Sequence, residues 1–163
     1  MLIPEPTAAT AADMMAIQQL AVGYAEAISR GDIDEAVQVY APDGVLASPT
    51  TEDAVGHSAI AAVLRRTTGD LELVFQTVHL GLVYVDGDHA AARFPITEWA
   101  RRRGDQRPIQ FLGLYEDDAV RLTEGWRFSR RLLVPRTLGR PDGLSGRIVP
   151  YDGLRPPSAF GAP

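Results

Sequence analysis

Apolar residues in the first part of the chain recur at helical spacing. From residue 14 to residue 30 they fall three or four positions apart, which predicts a helix with one buried stripe. The members of this stripe are Ile17, Leu20, Ala21, Tyr24, Ala27 and Ile28. Asp13 is suited to cap the helix and Gly31 to end it. Two shorter helices are predicted over residues 33–40 and 57–66.

The second half of the chain has the composition of strands. Residues 71–85 are rich in β-branched and aromatic side chains and predict one long strand. Asp-Gly-Asp at 86–88 predicts a hairpin turn. Further strands are predicted over 45–47, 89–101, 108–119 and 125–134. Helices gathered first and hairpins last indicate an α+β fold, because alternating α/β folds interleave the two.

These patterns divide the chain into three parts. Residues 1–12 are predicted to be a loose N-terminal arm, and residues 13–134 to be one folded domain. Residues 135–163 are rich in Pro and Gly, so they are expected to form a tail without regular helix or central strand. The tail also contains apolar residues, which favour a strap over the domain.

Composition and charge exclude several kinds of chemistry. The chain has 163 residues, no Cys and no Lys, so thiolate nucleophiles, disulfides and lysine Schiff bases are excluded. Its formal net charge of −5 disfavours nucleic acid and anionic membranes as partners. Three scattered His residues predict no metal site. No segment reads as a secretory signal or a membrane span, so a cytoplasmic protein is expected.

Three stretches resemble the SnoaL-like branch of the nuclear-transport-factor-2-like superfamily. They are IQQLAVGYAEAISRGDIDEAVQVYAPDGVL, TVHLGLVYVDGDHAAARF and GLYEDDAVRLTEGWRFSRR, which lie within residues 13–134. The resemblance implies a cone, in which a curved antiparallel sheet and N-terminal helices enclose a hydrophobic pocket. It also implies a family whose members mostly act on hydrophobic small molecules without a cofactor.

The resemblance also implies candidate catalytic residues. The dehydratase and dehydrochlorinase branch of this family uses an Asp–His pair, in which the carboxylate orients the imidazole as a base. His79 matches the position of that base and is expected to face the pocket, whereas Ser29 stands at the Asp position. Arg131 matches an arginine of the last strand, and Tyr24 replaces a lysine of the first helix. The predicted catalytic residues are therefore His79, Arg131 and Tyr24.

Further positions are expected to bind substrate. They are Ser29, Leu46, Ala91, Arg93, Leu114 and Phe128. The sequence leaves the pocket-facing side of the strand over 89–101 open. The resemblance favours Ala91 and Arg93 inside, whereas hydrophobicity favours Ala92, Phe94 and Ile96, and a β-bulge would exchange the two sets.

The functional expectation is a cofactor-independent lyase, isomerase or cyclase. Its substrate would be a hydrophobic, oxygenated small molecule of polyketide or terpenoid type. Ser29 in place of Asp favours an alternative, a noncatalytic small-molecule-binding or assembly domain on the same fold. A third reading is the small subunit of a ring-hydroxylating dioxygenase. A homodimer or homotrimer is expected in each case.

Overall fold

The computed structural model describes residues 5–49, 51–140 and 147–148. Its longest helix, α1, spans Ala8–Arg30 and begins with a capping box between Thr7 and Thr10. Gly31 ends it with φ 76°, a left-handed conformation that suits glycine. The predicted loose arm is thus helical from Ala8 onward, because Thr7 and not Asp13 supplies the cap.

Two further helices follow, close to their predicted places. Helix α2 spans Ile33–Ala36 and continues into a 3-10 turn, Val37–Val39. Helix α3 spans Gly56–Thr68. None of the helices in the described ranges is long and apolar enough to cross a membrane.

Within the described residues, eight strands form one mixed sheet in the order β2-β1-β7-β6-β5-β3, with β4 paired to β5 and β8 to β7. Their bounds are β1 Tyr40–Ser48, β2 Thr51–Val55, β3 Leu71–Val78, β4 Leu82–Asp86, β5 His89–Arg102, β6 Pro108–Leu122, β7 Gly125–Gly139 and β8 Arg147–Ile148. Neighbouring strands are antiparallel except β1 and β7, which are parallel. The α+β prediction is confirmed as a curved, unclosed sheet with helices packed against it.

Some strand boundaries differ from the prediction. Strand β2 was not predicted, since its sequence Thr-Glu-Asp-Ala-Val is largely polar and mostly exposed. Strand β7 continues to Gly139, inside the segment expected to be an irregular tail. The remainder of that segment lies outside the described residues apart from β8, so the predicted strap is not described.

The predicted long strand over 71–85 is interrupted. Val78 pairs with Ile96 and Leu82 with Arg93, so three residues lie opposite two on β5. One of those two is Pro95, whose carbonyl accepts from the His79 amide at 2.9 Å. Proline has no amide hydrogen to return to the ladder, so regular pairing stops there.

This interruption reverses the alternation of side chains. Before it, the even-numbered Gln76 is buried, whereas after it the odd-numbered Val83 is buried. An uninterrupted strand in step with Val83 would turn His79 inward. His79 instead keeps the alternation of β3, on which Phe75 and Thr77 also face the solvent, because the reversal takes effect only after it.

Candidate functional site

A cavity of about 250 Å³ lies between α1, α3 and the concave face of the sheet. Leucine, isoleucine and valine side chains form much of its wall, and several threonines and one serine line it as well. Besides these hydroxyl groups, four larger polar side chains of the lining could hydrogen-bond to a ligand or exchange protons with it. They are Tyr24, Gln76, Glu98 and Tyr115.

Three of these side chains form a hydrogen-bonded chain. The Tyr115 hydroxyl donates to Gln76 Oε1 at 3.3 Å, and Gln76 Nε2 donates to Glu98 Oε2 at 2.9 Å. Strand pairing brings them together, since Gln76 on β3 lies opposite Glu98 on β5. The other carboxylate oxygen, Glu98 Oε1, has no hydrogen-bond partner among the described residues.

The environment of Glu98 alters its acidity. Burial raises the pKa of the Glu98 carboxyl, and the hydrogen bond from Gln76 opposes this effect. A carboxyl with a raised pKa holds a proton more readily and, once ionised, is a stronger base than a solvated one. Proton transfer is therefore a chemistry that the cavity can provide.

An ion pair lies buried beneath the two tyrosines. Arg131 donates to both carboxylate oxygens of Asp117, at 2.9 and 2.7 Å, and both side chains are fully buried. The rings of Tyr24, Tyr115 and Phe128 lie 4.6, 4.1 and 4.2 Å from the guanidinium carbon. These cation–π contacts surround a guanidinium whose Nη1 has no acceptor among the described residues.

The buried Arg131 also acts on the phenol of Tyr24. Burial raises the pKa of Tyr24, whereas the positive charge of Arg131 lowers it. Tyr24 therefore remains a neutral hydrogen-bond donor on the cavity wall. Arg131 itself does not line the cavity, so its effect on a ligand would pass through Tyr24 and Tyr115.

Ser29 contacts a different residue from the one expected. Its hydroxyl donates to the Ala25 carbonyl at 2.8 Å and accepts from the backbone amide of Gln76 at 2.8 Å. The residue beside Ser29 is thus Gln76, three positions before His79. Neither member of an Asp–His pair is present where α1 meets β3.

The expectation that His79 faces the pocket is not met. His79 lies exposed in the interruption between β3 and β4, and its Nε2 is 3.0 Å from the Thr97 hydroxyl. It does not line the cavity. The reason is the alternation of β3, which continues to His79: Gln76 faces inward, and Phe75, Thr77 and His79 therefore face outward.

The open question about β5 is answered by burial. Ala92, Phe94 and Ile96 belong to the core, and Glu98 follows them on the same face. The pairing of β5 with β6 has no bulge, so Ala91 and Arg93 point to the opposite face. The hydrophobic pattern was therefore the better guide on this strand.

The other expected substrate-binding positions divide between lining and supporting places. Leu46 lines the cavity. Leu114 pairs with Pro95 and lies on the outer side with Arg93, which forms a salt bridge to Glu116. Phe128 is fully buried and packs against Arg131, so it supports the cavity without lining it.

Sequence reasoning missed Gln76 and Asp117 and left Glu98 unassigned. The alternation of Ala92, Phe94 and Ile96 extends by one step to Glu98, so this pattern could have predicted that Glu98 faces the cavity. Asp117 lies in an acidic run that looks solvated. Among the described residues, no group of three or more His, Cys, Asp or Glu side chains could hold a metal ion.

Comparison with known proteins gives a family and a fold. A family model described as a SnoaL-like domain matches residues 9–132. An uncharacterized protein of Mycobacterium tuberculosis is 32% identical over 122 residues, which cover 74% of this chain and 83% of that protein.

Two solved structures have closely similar folds. A protein of Novosphingobium aromaticivorans, provisionally named a scytalone dehydratase, has a TM-score of 0.75 and 17% identity, covering 89% of this chain and 96% of its own. A hexachlorocyclohexane dehydrochlorinase, LinA type 2, has a TM-score of 0.73 and 12% identity, covering 86% and 95%. At such identities the likeness shows the shared cone fold and leaves the chemistry to the site.

Proposed function

Because this chain belongs to the SnoaL-like domain family, we propose that it is a cofactor-independent acid–base enzyme of the lyase, isomerase or cyclase type. Its substrate is a neutral, hydrophobic, oxygenated small molecule of polyketide or terpenoid type. One observation supports this proposal most directly: the cavity holds a carboxyl group, Glu98, whose pKa is raised by burial.

Glu98 is the proton-transfer group of the proposed reaction. Its ionised Oε1 takes a proton from a carbon next to a substrate carbonyl, and the electron pair of the broken C–H bond forms an enolate. Return of that proton to another carbon completes an isomerisation. Transfer of the proton to a departing hydroxyl, which leaves as water, completes a dehydration.

Tyr24 and Arg131 stabilise the enolate in this proposal. Tyr24 lines the same cavity as Glu98, and its hydroxyl donates a hydrogen bond to the substrate oxygen as negative charge develops there. Arg131 lies 4.6 Å from the centre of the Tyr24 ring, and its charge opposes the burial that raises the pKa of this phenol, so Tyr24 is a stronger hydrogen-bond donor to the substrate oxygen. Both residues were predicted from the sequence, and the cavity geometry supports their roles.

The test is hydrogen exchange, which can be followed without knowing the product. The protein is incubated in D₂O with neutral cyclic ketones such as cyclohexanone, tetralone and decalone, and the α-hydrogens are followed by NMR. We expect exchange that Glu98→Gln lowers by about 100-fold or more. Tyr24→Phe is expected to lower it by roughly 10- to 100-fold.

The base predicted from the sequence is tested in the same experiment. His79→Gln removes an exposed imidazole that bonds to Thr97 and lies outside the cavity lining. If exchange depends on His79 and survives in Glu98→Gln, the assignment of the base to Glu98 is wrong. If no ketone in the panel exchanges faster than in buffer, catalysis of this class fails for these substrates.

The alternative is a noncatalytic small-molecule-binding domain on the same scaffold. It is favoured by Ser29 and Gln76, which stand where an Asp–His pair would be expected to meet. Saturable ketone binding, followed by calorimetry, without exchange in D₂O would support it. The expected homodimer or homotrimer also stays a proposal. It is supported by the exposed pair Phe75 and Trp99 on the outer face of the sheet, and light scattering would test it.

A further inference from the structure

The Gln76 side chain makes two hydrogen bonds in the interior, one as acceptor and one as donor. Its Oε1 accepts from the Tyr115 hydroxyl and its Nε2 donates to Glu98 Oε2. Gln76 is 8% exposed and Tyr115 is 3% exposed, so little water competes for these bonds. This side chain therefore occupies one arrangement between two fixed neighbours.

The direction of the amide follows from the chemistry of its neighbours. An ionised carboxylate accepts hydrogen bonds only, so the NH₂ group of Gln76 must face Glu98. The amide oxygen must then face Tyr115, whose hydroxyl can donate to it. The opposite orientation would place two acceptors together at Glu98, which is costly in a buried site.

The backbone of Gln76 is fixed as well. The Ser29 hydroxyl accepts from the Gln76 amide nitrogen and donates to the Ala25 carbonyl on α1, both at 2.8 Å. This bridge ties β3 to α1 at the level of the cavity. Gln76 is thereby held by three elements besides its own strand: α1 contacts its backbone, and β5 and β6 contact its side chain.

From this arrangement we propose that Gln76 is the positioning residue of the cavity. It holds Glu98 Oε2 and leaves Oε1 as the one oxygen that exchanges protons with a bound molecule. The inference rests on the proposed role of Glu98. Gln76 acts through Glu98 and need not touch the substrate.

Other ionisable groups around Glu98 do not replace this bond. Tyr24 on α1 and Tyr115 on β6 share the cavity with Glu98, and burial raises the pKa of both phenols. The charge of Arg131 on β7 is paired with Asp117 on β6. Gln76 is the hydrogen-bond donor to the Glu98 carboxylate among the described residues.

The experiment is a titration of Glu98 by NMR on protein labelled with ¹³C at the glutamate carboxyls. The Glu98 signal is assigned by its loss in Glu98→Gln. Gln76→Met keeps the length of the side chain and removes both hydrogen bonds, so the Glu98 midpoint should move to higher pH. Tyr115→Phe, which removes only the far bond, should move the midpoint less and in the same direction.

A matched control is Gln18→Met. Gln18 is a half-buried glutamine whose amide bonds to the backbone at His79 and Gly81, away from Glu98. It should leave the Glu98 midpoint unchanged. An unchanged midpoint in folded Gln76→Met and in Tyr115→Phe would overturn the inference, and folding is checked by the amide NMR spectrum.

Kinetics separate this inference from the proposed function. Gln76→Met should lower kcat/KM for ketone exchange roughly tenfold and move the acid limb of its pH profile upward, as expected for loss of a hydrogen bond to a charged group. If Glu98→Gln retains exchange, the proposed role of Glu98 fails whatever Gln76 does. If Glu98→Gln abolishes exchange but Gln76→Met changes neither rate nor profile, only the positioning role fails.

Discussion

Burial raises the pKa of the Glu98 carboxyl, and one hydrogen bond from the Gln76 amide opposes that rise. Nothing else among the described residues donates to this carboxyl. A buried carboxylate is less stable than a solvated one, so the ionised form of this side chain weakens the fold. The cavity therefore contains a carboxyl group that lowers the stability of the fold when it is ionised, as is common at functional sites.

This predicts a pH-dependent gain of stability in Glu98→Gln. The folded-state pKa of Glu98 is raised above its ordinary value of 4.5, so wild type has its full stability below that pH. It loses stability relative to the variant as pH rises through the folded-state pKa. Urea unfolding of both proteins from about pH 4 to about pH 8 measures this difference. A difference that stays flat across the range would contradict the burial effect.

The buried pair of Arg131 and Asp117 gives a second residue-level prediction. Arg131→Met leaves the Asp117 carboxylate buried without its guanidinium, and should cost about 3 to 5 kcal/mol of unfolding free energy. The double replacement Asp117→Leu with Arg131→Met should recover much of this loss. Chemical denaturation measures both variants. A loss of less than about 1 kcal/mol in the single variant would show that the pair is not a structural support.

Residue types revealed some of these positions and concealed others. Helical spacing placed Tyr24 on the buried stripe of the first helix, and the fold preserves that position. Gln76 could not be assigned, because a glutamine on a strand looks solvated until the partner strand brings Glu98 opposite it. Long-range pairing of this kind has no signature in the local sequence.

At the scale of elements, α1 is fastened to the sheet by a polar clamp. The Asp13 carboxylate accepts two hydrogen bonds from Arg121, both at 2.7 Å, and one from Trp126 Nε1 at 3.0 Å. Arg121 lies near the end of β6 and Trp126 near the start of β7, so the clamp joins the second turn of the helix to one hairpin. These bonds, first from Arg121 and then from Trp126, lower the pKa of Asp13 to about 2.

Asp13→Asn should therefore destabilise the protein at neutral pH by about 1 kcal/mol, the upper range for a partly exposed ion pair. The lost stabilisation is present above the ordinary aspartate pKa of 3.8 and disappears as pH falls towards 2, where wild type protonates. Thermal unfolding across this range measures it. Glu26→Gln, which breaks an exposed pair with Arg30 on the same helix, is the control and should have little effect.

The interruption between β3 and β4 marks the limit of prediction for elements. The sequence predicted most elements because their periods are regular, and the bounds of α3 and β5 differ from prediction by at most two residues at either end. It did not predict the interruption, because Pro95 lies on the partner strand. His79 lies at the start of this interruption and follows the outward face of β3, so the predicted base points away from the cavity.

At the scale of the whole molecule, the cavity has a definite electrostatic character. Its described lining contains a carboxyl group and no Arg, Lys or His, and the charge of the chain is −5. The buried Arg131 lies outside this lining, and its charge is paired with that of Asp117. The volume of the cavity, about 250 Å³, lies near the lower end of the range for ligand pockets. A compact, uncharged ligand is therefore favoured over an anionic one.

Thermal shifts should show this preference. A neutral decalone should raise the melting temperature, because a ligand at 100 times its Kd stabilises a fold by about 2.7 kcal/mol. The matching decalin carboxylate should not, since ionised Glu98 repels it. Glu98→Gln should reduce the discrimination between the two. Equal stabilisation of wild type by both compounds would contradict the electrostatic description.

The parallel pairing of β1 with β7 has a consequence for the order of folding. Ala47 lies beside Leu132, so the wall of the cavity forms only after nearly the whole domain has been synthesised. Until then, the apolar stripe of α1 has no complete sheet to cover it. Contacts so distant in sequence slow folding, typically to milliseconds or longer. On the ribosome, the nascent chain would thus expose its future cavity and be a substrate for chaperones throughout most of its elongation.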